Sequence, residues 1–240
     1  MSRLSQTVRK ARLPFTAAVI VAGGSGERFG GDKLFAPLGG VPVLARTLLA
    51  FERAETVGEI VVAAREDRIT DIVRLCREYR ISKAVNVVPG GATRMLSSLS
   101  GVSAVSKKAG IIAVHDGARP LVTEKLIDDT VWAAHLHLAA VPALPVKETI
   151  KRARDNIVFE TPERSELFAV QTPQCFQRDL LLAALGRAKE ENTGITDDCA
   201  AVEHIGGQIW LVPGSEENVK ITTPQDLALA ELILKGRGSE

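Results

Sequence analysis

The 240-residue chain carries 30 basic and 29 acidic residues for a net charge of +1, with 45% hydrophobic and 25% charged residues. That balance excludes a fibrous or disordered class and argues against a dedicated nucleic-acid binder, which needs a basic surplus to hold a phosphate backbone. Three widely spaced cysteines, Cys76, Cys175 and Cys199, form no C-x-x-C pair and point to a reducing cytoplasm, and no apolar run approaches the roughly 18 residues of a membrane span.

Residues 1–14 are basic but lack the apolar centre of a signal peptide, and they read as a disordered tail ahead of one domain spanning 15–236. Short apolar runs rich in β-branched residues follow at 17–21, 59–63, 84–88, 111–114 and 139–143. Strands covered on both faces lose the apolar/polar alternation, so these runs predict buried parallel strands. Between them, amphipathic stretches at 42–53, 67–79, 93–105 and 123–138 predict helices. The alternation predicts an α/β fold with a Rossmann-like, doubly wound, mostly parallel sheet.

After Pro145 the rhythm breaks. The segment from Val146 to Pro162 reads as two short polar strands around a turn at Asp155-Asn156, a protruding β-hairpin arm over about 146–165. Such an arm has little core of its own and needs a partner surface, which predicts a homodimer joined through the arms. Helices are expected again at 178–192, 196–205 and 223–235, with a strand at 208–212. Thr223-Pro-Gln-Asp226 supplies an N-cap, a proline at the first helical position and an acid in the first turn.

The first strand runs directly into Ala22-Gly-Gly-Ser-Gly-Glu-Arg-Phe-Gly30. Small residues at the carboxyl end of a parallel strand let backbone N–H groups approach a phosphate chain, at the place where open α/β sheets bind ligands. No G-K-[ST] follows, so this is not a P-loop, and Phe29 stands where a dinucleotide fingerprint needs its third glycine, which weakens an NAD-dependent oxidoreductase. Arg28 and Lys33 put two cations where triphosphate charge must be neutralised. Taken alone, the loop is equally a plain surface turn with solvated cations. His115-Asp116-Gly-Ala-Arg-Pro120 follows the fourth strand, so Asp116 also lies at the carboxyl edge, where a carboxylate suits Mg²⁺. His115 reads as structural.

Six ordered blocks resemble one family: the Ala22–Gly30 loop, His115–Pro120, Val146-Lys-Glu-Thr-Ile-Lys-Arg152, Gln171-Thr-Pro-Gln174, Ile195-Thr-Asp-Asp198 and Asn218-Val-Lys-Ile-Thr-Thr-Pro-Gln-Asp-Leu227. They resemble the 2-C-methyl-D-erythritol 4-phosphate cytidylyltransferases of the non-mevalonate isoprenoid pathway. The resemblance implies a CTP site made by Ala22, Gly23, Gly24, Gly26 and Ala118, with Gly90, Gly91 and Ser97 facing the cytosine. It implies Arg28, Lys33 and Lys220 as catalytic cations and Asp116 as a ligand of substrate and of Mg²⁺ or another divalent cation. Thr172 would line the polyol phosphate pocket, while Thr149 and Arg164, carried on the arm, would reach the methylerythritol phosphate of the other protomer.

The chain departs from the family where Gly30-Gly-Asp-Lys33-Leu-Phe replaces a longer loop with Pro-Lys-Gln, which implies a displaced Lys33. The Ala-Thr-Arg-Met-Leu run after Gly91 is also less polar than the family's form. A ribitol 5-phosphate cytidylyltransferase and a non-catalytic nucleotide-binding module remain alternatives. Asp197 and Asp198 read as helix-start acids, Cys175 as packing, and His135 and His137 as pointing to different sides of one helix.

Overall fold

The computed structural model of the protein describes residues 13–24 and 27–238. The tail expected at the amino end therefore lies, through residue 12, outside the described residues, as does Gly26. Strand β1 (Thr16–Ala22) pairs in parallel with β4 (Val57–Ala64) on one side and β6 (Ile111–Asp116) on the other. Strand β5 (Ala84–Pro89) continues the parallel run beyond β4. The five apolar runs of the sequence are five strands of this sheet, with β7 (Ala139–Pro145) the last of them.

Alternate residues of β1 enter opposite cores, which is why its sequence shows no polar face. Ala18 and Ile20 pack with Leu44, Leu48 and Phe51 of α1 (Val43–Arg53), Ile72 of α2 (Ile69–Glu78) and Ile127 of α4 (Glu124–His137). Ala17 and Val19 pack with Val102 of α3 (Arg94–Ala104), Leu181 and Leu185 of α5 (Arg178–Glu190) and Val202 of α6 (Asp198–His204). The sheet is thus covered on both faces, as a doubly wound fold requires.

Two strands of the main sheet, and a small hairpin beside it, escaped the sequence reading. β11 (Gln174–Gln177) runs antiparallel between β6 and β7, and β10 (Phe168–Val170) pairs antiparallel with β7. Each is too short to show a period, and the cis Thr172–Pro173 bond lies between them. β12 (Trp210–Pro213) adds a parallel strand to β7, giving this sheet eight strands among the described residues. A small hairpin, β2 (Pro37–Leu38) and β3 (Val41–Pro42), turns through Gly39 and Gly40 at φ 54° and 78° and buries Leu38.

The arm forms as expected. β8 (Arg152–Arg154) and β9 (Ile157–Glu160) flank Asp155 and Asn156, both with positive φ, the geometry of a tight hairpin turn. Every residue of both strands is exposed, including Ile157, Val158 and Phe159. Thr223 begins α7 (Pro224–Arg237), and the Asp226 carboxylate accepts the Thr222 and Thr223 backbone N–H groups at 2.8 and 2.7 Å.

Helix α3 approaches β1 closely because position 101 is glycine: a Cβ there would stand 2.4 Å from Val19 Cγ1. Gly101→Val should push α3 off the sheet and destabilise the protein by about 1–3 kcal/mol. Urea unfolding followed by circular dichroism measures it, and an unchanged midpoint would contradict this packing.

Candidate active site

Register alone assembles the rim of the site. Val21 at the end of β1 pairs with Asp116 at the end of β6, and Ala22 pairs with Ala64 of β4, which in turn pairs with Pro89 of β5. The loops leaving these carboxyl ends enclose a cleft of about 410 Å³. Ala22, Gly23, Gly24, Arg28, Lys33, Gly91, Ser97, Asp116, Ala118 and Lys220 all border it. Ten of the residues expected from the sequence therefore converge on one cavity, Lys33 included despite its shortened loop.

Asp116 is the hub. Its Oδ2 lies 3.0 Å from Lys220 Nζ and 3.3 Å from Arg119 Nε, and its Oδ1 lies 3.5 Å from Arg94 Nε. Burial by itself would raise the Asp116 carboxyl, but Lys220, Arg94 and Arg119 outweigh it and hold the group well below the usual carboxylate range. Its backbone N–H donates to Thr172 Oγ1 at 3.2 Å, and that hydroxyl is 3.0 Å from His115 Nδ1. His115 is fully buried against Phe51, and desolvation brings its pKa down to about 3, so the ring is neutral at physiological pH. The structural reading of His115 agrees with these contacts.

Lys220 is delivered by main-chain pairing. Ile221 N–H donates to Ala118 O at 2.8 Å, and Arg119 donates to Asn218 O at 2.7 Å. Buried Asn218 donates in turn to Thr172 O at 2.9 Å. The His115–Pro120, Gln171–Gln174 and Asn218–Leu227 blocks are therefore one hydrogen-bonded unit around a single carboxylate.

Arg94 links that unit to α6. Its guanidinium donates to Asp198 Oδ2 at 2.7 Å, and Asp198 is fully buried. Burial pushes the Asp198 carboxyl up, and Arg94 pulls it back. Gln174 holds the start of α6: its Oε1 accepts Asp198 and Cys199 N–H at 3.0 and 3.1 Å, and its Nε2 donates to Asp197 at 2.6 Å. Asp197 caps the helix by accepting from Ala200 N–H, as a helix-start acid should. Asp198 does more than favour the helix dipole, because it is the buried counter-ion of Arg94.

Among the described residues, four cations, Arg28, Lys33, Arg94 and Lys220, border the cleft against the one carboxylate of Asp116. Burial first, then Lys220 and Arg28, lower the Lys33 pKa. Such a surplus is suited to a bound polyphosphate, which supplies the missing negative charge. Among the described residues no group of three or more His, Cys, Asp or Glu side chains could hold a metal by itself.

The turn that follows β5 is built on glycines. Gly90 N–H donates to Ala64 O at 2.6 Å, and a Cβ on Gly91 would fall 2.2 Å from Leu96 Cβ, so a side chain is excluded there. Ser97 Oγ accepts Gly91 N–H at 3.1 Å and lies 3.0 Å from Thr93 O, which braces this turn. Gly90 borders an adjoining cavity of about 620 Å³ shared with Gly23, Gly91, Arg65, Glu66 and Asp67.

Three expected residues stand apart from the cleft within one chain. Thr172 is 4% exposed and supports Asp116 from behind. Thr149 and Arg164 are exposed at the base of the arm, where Arg164 donates to Lys147 O at 3.1 Å. Arg94 and Arg119 have no role in the sequence reading, and Asp198 has only that of a helix-start acid. Arg119 stands three residues after Asp116 and Arg94 follows the N-cap Thr93, but their partners are set by tertiary packing. All three cysteines are buried free thiols, with Cys175 raised by burial, in keeping with packing. His137 stacks on Trp210 at 3.9 Å while His135 meets Trp132 edge-on at 6.0 Å, so the two rings diverge.

The family model for 2-C-methyl-D-erythritol 4-phosphate cytidylyltransferase matches residues 16–236. The enzyme of that name from Halalkalibacterium halodurans is 44% identical over 220 residues, covering 91% of this chain and 96% of the relative. Its counterpart from Caldanaerobacter subterraneus is 40% identical over 227 residues, covering 91% and 98%. The crystal structure of a 4-diphosphocytidyl-2C-methyl-D-erythritol synthase from Anaerococcus prevotii superposes with a TM-score of 0.83 at 29% identity, covering 92% of this chain and 96% of that one. A Thermus thermophilus cytidylyltransferase gives 0.73 at 32% identity, covering 90% and 98%.

The buried neutral His115 makes stability depend on pH. Its folded pKa of about 3 lies below the ordinary 6.5, so its contribution is complete above pH 6.5 and is lost as pH falls toward 3. One such group should remove ~2 kcal/mol between pH 7 and pH 5. Urea titrations at the two pH values should show that His115→Gln flattens this decline; an identical decline would contradict the neutral buried ring.

Proposed function

The chain belongs to the 2-C-methyl-D-erythritol 4-phosphate cytidylyltransferase family, and from that premise we propose how its cleft transfers the cytidylyl group of CTP to 2-C-methyl-D-erythritol 4-phosphate. The products are 4-diphosphocytidyl-2-C-methyl-D-erythritol and pyrophosphate, in the non-mevalonate route to isoprenoid precursors. The observation that carries the assignment of roles is the convergence of Arg28, Lys33, Arg94 and Lys220 around Asp116 where β1 and β6 end.

The second pKa of a phosphate monoester is near ~6, so the polyol phosphate is already an anionic nucleophile at neutral pH and needs no strong base. One of its oxygens attacks the α-phosphorus of CTP as the bond to the β-phosphate breaks and pyrophosphate departs. Charge gathers on the non-bridging and departing oxygens. Arg28 and Lys33 neutralise it from the glycine loop, and Lys220, held on Asp116 at 3.0 Å, orients the incoming phosphate. Ala22, Gly23, Gly24 and Ala118 supply backbone against the nucleotide, while Gly90, Gly91 and Ser97 shape the cytosine end. The position of Gly26 in the loop gives it the same assignment.

Mg²⁺ fits this donor set: among the described residues Asp116 is the one carboxylate bordering the cleft, and a hard cation that takes one or two carboxylates would find its other ligands on substrate phosphates. When bound, it would add charge neutralisation on those phosphates. The second substrate's pocket is completed, across a homodimer, by Thr149 and Arg164 of the opposite arm, while Thr172 holds Asp116 from behind. The exposed Ile157, Val158 and Phe159 support that arrangement, since a hairpin without a core needs a partner. Residues 15–236 act as one catalytic domain. The buried free thiols favour a reducing cytoplasm, and no helix among the described residues is long and apolar enough to cross a membrane.

Pyrophosphate release from CTP and Mg²⁺ should be strong with methylerythritol phosphate and weak with ribitol 5-phosphate. Lys33→Ala should keep the fold and lose about 100-fold in kcat. Activity with ribitol phosphate alone would reassign the substrate, CTP binding without turnover would leave a nucleotide-binding module, and an unchanged kcat in the variant would remove Lys33 from the mechanism.

A further inference from the structure

Lys33 stands where its own charge opposes it, beside Arg28 and Lys220. Its two flanks are held very differently. On the carboxyl side Leu34 is 6% exposed and its carbonyl accepts Leu44 N–H at 2.9 Å, so that flank is fixed to α1. On the amino side are Gly30, at φ 77°, and Gly31, neither of which has atoms within 4 Å of where a Cβ would stand. Between Phe29, which packs on the core, and Leu34, these two glycines give the loop no side-chain packing.

What reaches it is an ion pair. Asp32 Oδ2 lies 2.9 Å from Arg68 Nε, while Asp32 Oδ1 accepts Leu34 N–H at 3.2 Å across Lys33. Arg68 is itself tied down, 3.1 Å from Asp71 on α2 and with its guanidinium 5.5 Å over the Phe35 ring. It ends the turn Glu66–Arg68, whose first residues border the cavity beside Gly23, Gly90 and Gly91. The turn that borders the nucleotide end of the cleft therefore also grips the loop that carries the catalytic lysine.

We propose that Asp32 and Arg68 are positioning residues, a latch between the Lys33 loop and the Glu66–Arg68 turn that holds Lys33 in the cleft against the repulsion of Arg28 and Lys220. This rests on the cytidylyl-transfer reading. The latch performs by charge what a longer, proline-containing loop would perform by chain stiffness. A half-exposed ion pair adds little to global stability, so its effect falls on geometry rather than on folding. Displacing a reacting group by about 1 Å can lower a rate up to 100-fold.

The test is a cycle of Asp32→Asn, Arg68→Met and the double variant, each made also with Lys33→Met. Asp32→Asn keeps the acceptor for Leu34 N–H and removes only the charge. Each single variant should lower kcat about tenfold with KM for methylerythritol phosphate unchanged, and the double variant should be no slower than the slower single one. With Lys33→Met present, neither substitution should lower kcat further. Additive losses, an equal loss without Lys33, or an unchanged kcat would each overturn the latch. Hydrogen exchange over residues 30–36 should quicken in Arg68→Met, and unchanged exchange would also count against it. That arm needs no turnover, so it still decides the latch if the wild-type protein shows no transfer activity and the functional reading itself fails.

Discussion

Burying a carboxylate at the mouth of a sheet is unfavourable unless cations accompany it, and this molecule meets that constraint at Asp116 with Lys220, Arg94 and Arg119. The three come from separate stretches of chain: Arg94 opens α3, Arg119 follows β6, and Lys220 lies in the segment leading to α7. Arg119 reaches Asp116 locally, three residues on, but Arg94 and Lys220 reach it only if their own segments are docked correctly, so the carboxylate acts as a checkpoint on the tertiary structure. The compensation exceeds one charge, because Arg28 and Lys33 also border the cleft, where among the described residues Asp116 is the one carboxylate. A bound polyphosphate completes the balance that the protein leaves open.

The supports behind the cleft follow the same logic at one remove. Gln174 and Asp197 fix the start of α6, which presents Asp198 to Arg94, and Thr172, His115 and Asn218 fix the backbone of the Asp116 loop. These groups make hydrogen bonds inside a low-dielectric region, where a missing partner is expensive. The cleft is consequently rigid on the Asp116 side. On the glycine-loop side it depends on longer tethers such as Asp32 to Arg68.

Much of the frame was legible because it is written in local chemistry. β-Branched runs such as Ala17–Val21 announce buried strands, Thr223-Pro-Gln-Asp226 announces a helix start, and Asp155-Asn156 announces a hairpin turn. β10 and β11 were not legible, since their pairing with β7 and β6 joins segments distant in sequence and three- or four-residue strands carry no period. The same limit hid part of the site. Residues on strand ends, such as Asp116, and in glycine turns, such as Gly24, could be placed from the strand pattern, whereas Arg94 and Asp198 are 104 positions apart and meet only through tertiary packing, α3 on α5 and α5 on α6. Thr172 was expected in the substrate pocket; its burial comes from the antiparallel strand β11 that the sequence did not disclose.

The central claim is that one ionised carboxylate organises the cations that perform transfer. Asp116→Asn removes its charge with almost no change in shape, so steady-state pyrophosphate release from CTP, Mg²⁺ and methylerythritol phosphate tests the claim directly. With a native circular-dichroism spectrum, kcat should fall at least about 100-fold, the magnitude typical of removing one element of a preorganised electrostatic site. A folded Asp116→Asn protein that turns over within a few-fold of the wild-type rate would contradict it.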